Sequence, residues 1–153
     1  MSVEIRMPLD GDRDDWRRLF RAYGLFYKTS FTDDTMHRVW AWITDDAHPL
    51  YALVALDDGV IVGIAHYSRL LDTFSGGNEW YLDDLYVESF ARGKGVATML
   101  VEGVEAHAAA NGGGKLRWIT AADNATAQSL YDKIAKRTTW VTYEKSPIEG
   151  ATN

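Results

Sequence analysis

Leu85-Tyr86-Val87-Glu88-Ser89-Phe90-Ala91-Arg92-Gly93-Lys94-Gly95-Val96-Ala97-Thr98-Met99-Leu100 is the stretch that decides the fold class. Leu85–Val87 closes the apolar run Trp80–Val87, which predicts a strand. Val96, Met99, Leu100 and Val104 repeat at helical spacing, so a helix is predicted over Gly93–Asn111. Between strand and helix stands Arg92-Gly93-Lys94-Gly95. Glycine lets backbone approach a ligand closely and adopt positive φ. The first turn of a helix carries unpaired N–H groups and the positive end of the helix dipole. Strand, glycine turn and helix start together predict a pyrophosphate site, with Arg92 and Lys94 adding positive charge.

Two other phosphate motifs do not fit. A dinucleotide fingerprint needs a third spaced glycine and a later acid; here Thr98 follows Gly93 and Gly95, and no acid lies near position 113. A P-loop at Gly112-Gly113-Gly114-Lys115 fails because position 109 is Ala, Leu116 replaces Ser or Thr, and the order is helix, loop, strand. Gly112–Gly114 instead reads as a helix stop.

Working outward, Val3–Arg6 predicts a first strand. Trp16, Leu19, Phe20, Tyr23 and Tyr27 predict an amphipathic helix over Asp14–Tyr27. Thr32 is an N-cap candidate for a second helix, whose stripe is Met36, Val39, Trp40 and Ile43. Leu50–Leu56 and Val60–Arg69 flank the turn Asp57-Asp58-Gly59 and predict a hairpin. Leu70–Asn78 is expected to be loop. Lys115–Thr120 predicts a strand, Ala125–Ile134 a helix and Thr138–Tyr143 a last strand, followed by a tail over Ser146–Asn153. The order βααβββαβαβ, hairpins first and crossovers later, predicts an α/β domain over 1–153 with a mixed sheet covered on both faces.

The composition bounds the function. The chain has 153 residues, 46% hydrophobic and 25% charged, with a net charge of −6. One ordinary globular domain is expected. The negative charge argues against nucleic acid or an anionic membrane as a partner. There are no cysteines, which excludes disulfides and thiol catalysis. His37, His48 and His107 have no partner at metal-ligand spacing, so no metal is expected. No apolar run approaches the roughly 18 residues of a membrane span, and Met1–Leu9 lacks a secretory h-region, so a cytoplasmic location is expected.

Arg92, Gly95 and Ala97 match Arg/Gln-x-x-Gly-x-Gly/Ala, and Asn124, Ala127 and Tyr131 match Asn-x-x-Ala-x-x-x-Tyr downstream. Together they resemble the two coenzyme-contacting motifs of the GNAT superfamily of N-acetyltransferases, and the element order agrees over residues 3–144. Ser89 stands where a proline is usual, and Ala135 where many members have glycine. Tyr81–Val87, Phe26-Tyr27, Ala65-His66-Tyr67 and Trp140-Val141-x-Tyr143 are similar to the branch holding polyamine, histone and D-amino-acid acetyltransferases. The resemblance implies a GNAT fold with a mostly antiparallel central sheet, acetyl-CoA as co-substrate, and a homodimer. It implies that acetyl-CoA is held by Leu85, Tyr86 and Val87, by Arg92, Gly93, Lys94, Gly95, Val96, Ala97 and Thr98, and by Asn124, Ala127 and Tyr131. Phe26, Tyr27, His66 and Asp83 are implied to border the amine acceptor, and Tyr131 to protonate the leaving thiolate.

An alkylammonium has a pKa of about 10.4, so an amine that attacks a thioester needs a proton acceptor. Asp83 and Asp84 are the candidates, because acids inside an apolar strand are unusual. On a regular strand Asp83 faces with Tyr81 and Leu85, and Asp84 with Leu82 and Tyr86; only a bulge puts both on one face. Each residue also has a structural interpretation. Tyr131 lies on the apolar stripe of its helix, Asn124 suits an N-cap, and His66 suits a satisfied buried site. The function expected is transfer of acetyl to a primary amine of a small molecule, a polyamine among them. The alternatives are Nα-acetylation of amino acids or peptide termini, and an acyl-CoA-binding regulatory domain without turnover.

Overall fold

Alternating apolar runs joined by tight turns build a five-stranded sheet in the order β1-β2-β3-β4-β5. Its strands are β1 (Val3–Arg6), β2 (Leu50–Asp57), β3 (Val60–Asp72), β4 (Gly77–Val87) and β5 (Lys115–Arg117). The first four pair antiparallel, and β5 runs parallel to β4. The helices are α1 (Arg13–Phe26), α2 (Asp33–Thr44), α3 (Val96–Ala110) and α4 (Ala125–Ile134). The computed structural model describes residues 2–150; Met1 and the last three residues of the expected tail lie outside them. The chain divides into two compact units, Met1–Ile119 and Thr120–Asn153.

In the first unit the sheet is covered on both faces. Trp16, Leu19 and Phe20 of α1 and Met36, Val39 and Trp40 of α2 form one apolar cluster with Val54, Leu56, Ile61 and Ile64. The opposite face belongs to α3: a Cβ added at Gly63 would meet Leu100 at 3.1 Å, and one at Gly103 would meet Ile5 and Leu53. The stripe on α1 explains why it packs there, and the predicted cap holds α2, with Thr32 Oγ1 accepting from Thr35 N at 3.1 Å. The β2–β3 turn forms at Asp58 and Gly59, both with positive φ as a two-residue hairpin requires.

Three expectations are corrected. Leu70–Asn78 is not all loop: the β3–β4 ladder continues through Leu70↔Glu79 and Leu71↔Asn78 to Asp72↔Gly77. Asp72 closes the turn beyond it, its carboxylate accepting from Phe74 N and Ser75 Oγ. Helix α3 begins at Val96 with Gly95 as its N-cap, three residues beyond the predicted start at Gly93. The predicted last strand Thr138–Tyr143 is not a strand, and Trp140 and Tyr143 are 82% and 93% exposed. Alternation of Thr, Trp, Val and Tyr expresses fit to a half-buried sheet, and this segment pairs with no strand among the described residues. In the second unit α4 is capped as predicted, Asn124 Oδ1 accepting from Ala127 N at 3.1 Å.

Gly112–Gly114 ends α3 and returns the chain to β5, all three with positive φ. Trp80 Nε1 donates to Gly113 O at 2.9 Å, and a Cβ at Gly114 would stand 2.0 Å from Asn78 O. A Cβ at Gly113 would meet nothing within 4 Å. In urea denaturation, Gly113→Ala is expected to cost about 1 kcal/mol, the strain of a left-handed residue, and Gly114→Ala clearly more. Equal losses would show that the approach of this turn to β4 is not tight.

Candidate active site

The β3–β4 pairing is irregular between His66 and Tyr67. His66 pairs with Asp84, but Tyr67 pairs with Leu82, so Asp83 is an extra residue in β4. This is a bulge, and it resolves the question of the two acids. Asp84, opposite His66, points to the α1/α2 face. Asp83 reaches Ser68 Oγ at 2.5 Å, and Ser68 shares the face of His66 by strand alternation. Tyr81, opposite Ser68, joins them. Leu85, opposite Ala65, faces α3 instead, so the regular alternation expected for Asp83 with Leu85 does not hold.

The two carboxylates sit in different surroundings. Asp84 Oδ2 lies 2.9 Å from His66 Nδ1, and Trp16 Nε1 donates to His66 Nε2 at 2.8 Å. His66 is therefore not placed to touch an acceptor: it is 1% exposed with both ring nitrogens engaged. The side chain of Asp83 reaches solvent, yet the protein around it desolvates the carboxyl and raises its pKa. The Ser68 hydroxyl opposes that shift, and the charge of Asp84 adds to it. Burial followed by the charge of Asp83 raises the Tyr81 phenol likewise. Phe20 meets His66 edge-on at 4.8 Å, and an aromatic row continues through Tyr23 and Tyr27 to Phe26. Phe26 and Tyr27 are exposed.

The glycine turn forms a second feature. Gly93 and Gly95 have φ of +77° and +82°, and a Cβ at either would meet nothing within 4 Å. The first bond of the α3 ladder runs from Met99 N to Gly95 O, so the N–H groups of Val96, Ala97 and Thr98 precede it. Arg92 donates through Nε to Val87 O at 2.9 Å and lies over the Tyr86 ring at 5.6 Å, bracing the turn against β4. Strand β5 pairs with β4 only at Glu79, Trp80 and Tyr81. Past Tyr81, towards Leu85–Val87, that edge of β4 has no strand partner among the described residues.

A family model described as the acetyltransferase (GNAT) family matches residues 16–135. The chain belongs to the GNAT family of acetyltransferases. It is 33% identical over 137 residues to the D-amino-acid N-acetyltransferase HPA3 of Saccharomyces cerevisiae, covering 88% of this chain and 85% of that relative. Among solved structures it resembles AAC(6')-Iy in complex with the bisubstrate analog CoA-S-monomethyl-acetylneamine, with TM-score 0.83, 21% identity, and 97% and 100% of the two chains covered. The ribosomal-protein-alanine N-acetyltransferase of Brucella melitensis gives TM-score 0.78 at 23% identity over 95% and 99%. At these identities the two structures establish the likeness of fold.

The chain is thus an acyltransferase, and as a GNAT protein it uses acetyl-CoA as co-substrate. Its residues fit that molecule. The open space above Gly93 and Gly95 and the N–H groups opening α3 suit a pyrophosphate. The bare edge of β4 offers backbone groups to an amide-bearing arm.

Sequence reasoning put Tyr81 on the face of Asp83 but did not find Trp16 and Ser68 as partners of the acids. Trp16 lies on a helical apolar stripe, where nothing marks its indole N–H for a partner 50 residues away. Ser68 comes opposite Tyr81, and so beside Asp83, only through the bulged register.

A group whose pKa is higher folded than unfolded holds its proton more tightly in the folded state. Its contribution is full at low pH and is lost as pH rises through the folded value. Asp83→Asn cannot ionise, so its Tm relative to the unmodified chain should be higher at pH 7, with the gain shrinking towards pH 3. A Tm difference that does not change with pH would show that Asp83 is not desolvated.

Proposed function

We propose that the chain acetylates the primary amine of a small cationic molecule, and that the amine approaches the sheet on the face of Asp83, Asp84 and Tyr81. The observation that carries this is the bulge at Asp83, which turns two adjacent carboxylates to one side of the sheet. An alkylammonium must bind and then lose a proton before it can attack. In this reading Asp84 is the anion that holds the cation, and Asp83, with its raised pKa, is the better proton acceptor. Unit charges about 4 Å apart attract by roughly 4 kcal/mol at an effective dielectric of 20, before desolvation is subtracted. Acetyl-CoA supplies the activated acyl group. Arg92, Gly93, Lys94, Gly95 and the first turn of α3 hold its phosphates, Leu85–Val87 its pantetheine arm, and Asn124 and Ala127 contact it. Tyr131 Oη on α4 is the proton donor to the leaving group. The reading includes a homodimer, supported by exposed Trp140, Val141 and Tyr143, which a second copy would cover.

A second acceptor class is favoured by one finding. The relative HPA3 is a D-amino-acid N-acetyltransferase, and a D-amino acid would bring its own carboxylate towards the acid pair. A thiol-release assay over spermidine, spermine, lysine, D-amino acids and aminoglycosides decides between them. The cationic reading predicts the highest kcat/KM for a polyamine, and for Asp84→Asn an acceptor KM raised about tenfold or more, the worth of one charge-assisted contact. Turnover confined to zwitterionic amines would move the assignment to the D-amino-acid class. No turnover of any amine, with acetyl-CoA still bound, would leave a binding domain.

A further inference from the structure

The His66 imidazole is fully buried, 1% exposed. A buried imidazole is costly unless its nitrogens are satisfied, and this one is satisfied in one direction only. Indole Nε1–H can donate but never accept. Since it lies 2.8 Å from His66 Nε2, that nitrogen must present its lone pair. The proton of the neutral ring is then on Nδ1, which donates to Asp84 Oδ2 at 2.9 Å. The ring is held on its sides by Trp16 at 5.9 Å and by Phe20 edge-on at 4.8 Å. The charged groups that face it, Asp84 and Asp83, both come from β4; α1 contributes Trp16 and Phe20, and β2 pairs Ala52 against it.

We propose that Trp16 and His66 form an internal arm that fixes Asp84 for the acceptor amine, with His66 as the Nδ1–H tautomer and a positioning residue. The proposal rests on the assignment of Asp84 as the anchor of the amine. The arm runs from the fully buried indole to a carboxylate whose side chain is 23% exposed, so its outer end alone meets solvent. Oδ2 takes the imidazole N–H, and Oδ1 is left for the ammonium. The imidazole does not carry the amine's proton, because one nitrogen is occupied by a donor that cannot accept it. Asp83 is held differently, by the rotatable hydroxyl of Ser68. The bulge thus carries one carboxylate fixed from behind and one free to move with its hydroxyl partner, which suits an anchor beside a proton acceptor.

Two measurements test the arm. Two-bond proton–nitrogen spectra of the full chain labelled in histidine, taken at pH 8, should show His66 with its proton on Nδ1; a proton on Nε2 overturns the proposal. Kinetics use the fastest amine of the panel, spermidine if the cationic reading holds and a D-amino acid if it does not. His66→Asn keeps a side-chain N–H close to the place of Nδ1, His66→Gln moves it to that of Nε2, and His66→Leu removes it. The expected acceptor KM is within about threefold of the unmodified chain for Asn and raised roughly tenfold or more for Gln and Leu, with acetyl-CoA affinity unchanged in all three. Unchanged KM in Gln and Leu, or an Asn variant as impaired as Leu, overturns the proposal. If His66→Leu does not fold, the tautomer and the contrast of Asn with Gln decide. An acceptor KM unaffected by Asp84→Asn overturns the anchor assignment and this proposal with it. A defect in Asp84→Asn without one in His66→Leu and His66→Gln overturns this proposal alone.

Discussion

Between His66 and Tyr67 strand β3 advances one residue while β4 advances two, and Asp83 is the residue left over. Side chains alternate along a strand, so one added residue reverses the facing of everything beyond it. Without the bulge, Asp83 and Asp84 would point to opposite faces, one of them into the apolar layer under α3. With it, Leu82 and Trp80 stay buried on the α3 side, and both acids turn towards α1 and α2. The same register brings Ser68 to Asp83 and His66 to Asp84, so each carboxylate has a polar partner.

The electrostatics follow from this placement. Desolvation raises the pKa of Asp83, and the charge of Asp84 beside it adds to the shift. Ionising Asp83 there costs stability, which in the proposed reading is given up for a site that attracts a cation. Part of the cost is offset by the chain from Trp16 through His66 to Asp84, in which every buried polar atom has a partner. The glycine turn has the complementary character, with N–H groups and positive charge that suit an anion. In the proposed reading the protein thus offers opposite electrostatic character to its two substrates.

Much of this was legible in the residues, for reasons that differ by element. Arg92-Gly93-Lys94-Gly95 is local chemistry: positive φ and a helix start are written in adjacent residues, and the structure has both. The helical stripes of α1 and α2, the Asp58-Gly59 turn and the caps Thr32 and Asn124 are local too. Non-local facts were less legible. Two acids in a row marked β4 as unusual, but whether they share a face depends on register against β3. His66 could be read as buried, but not as joined to Trp16, which is 50 residues away. Leu70–Asn78 read as loop because of Gly76-Gly77, although Asp72 confines the turn to the residues just before Gly77. Thr138–Tyr143 has a strand's composition without a strand's partner.

The central claim is that Asp83 is the bulged residue, and cross-strand NOEs between the backbones of β3 and β4 test it most directly. The account predicts contacts that place His66 opposite Asp84 and Tyr67 opposite Leu82, with Asp83 skipped. A regular ladder placing Tyr67 opposite Asp83 and Ser68 opposite Leu82 would put the two acids on opposite faces and contradict it.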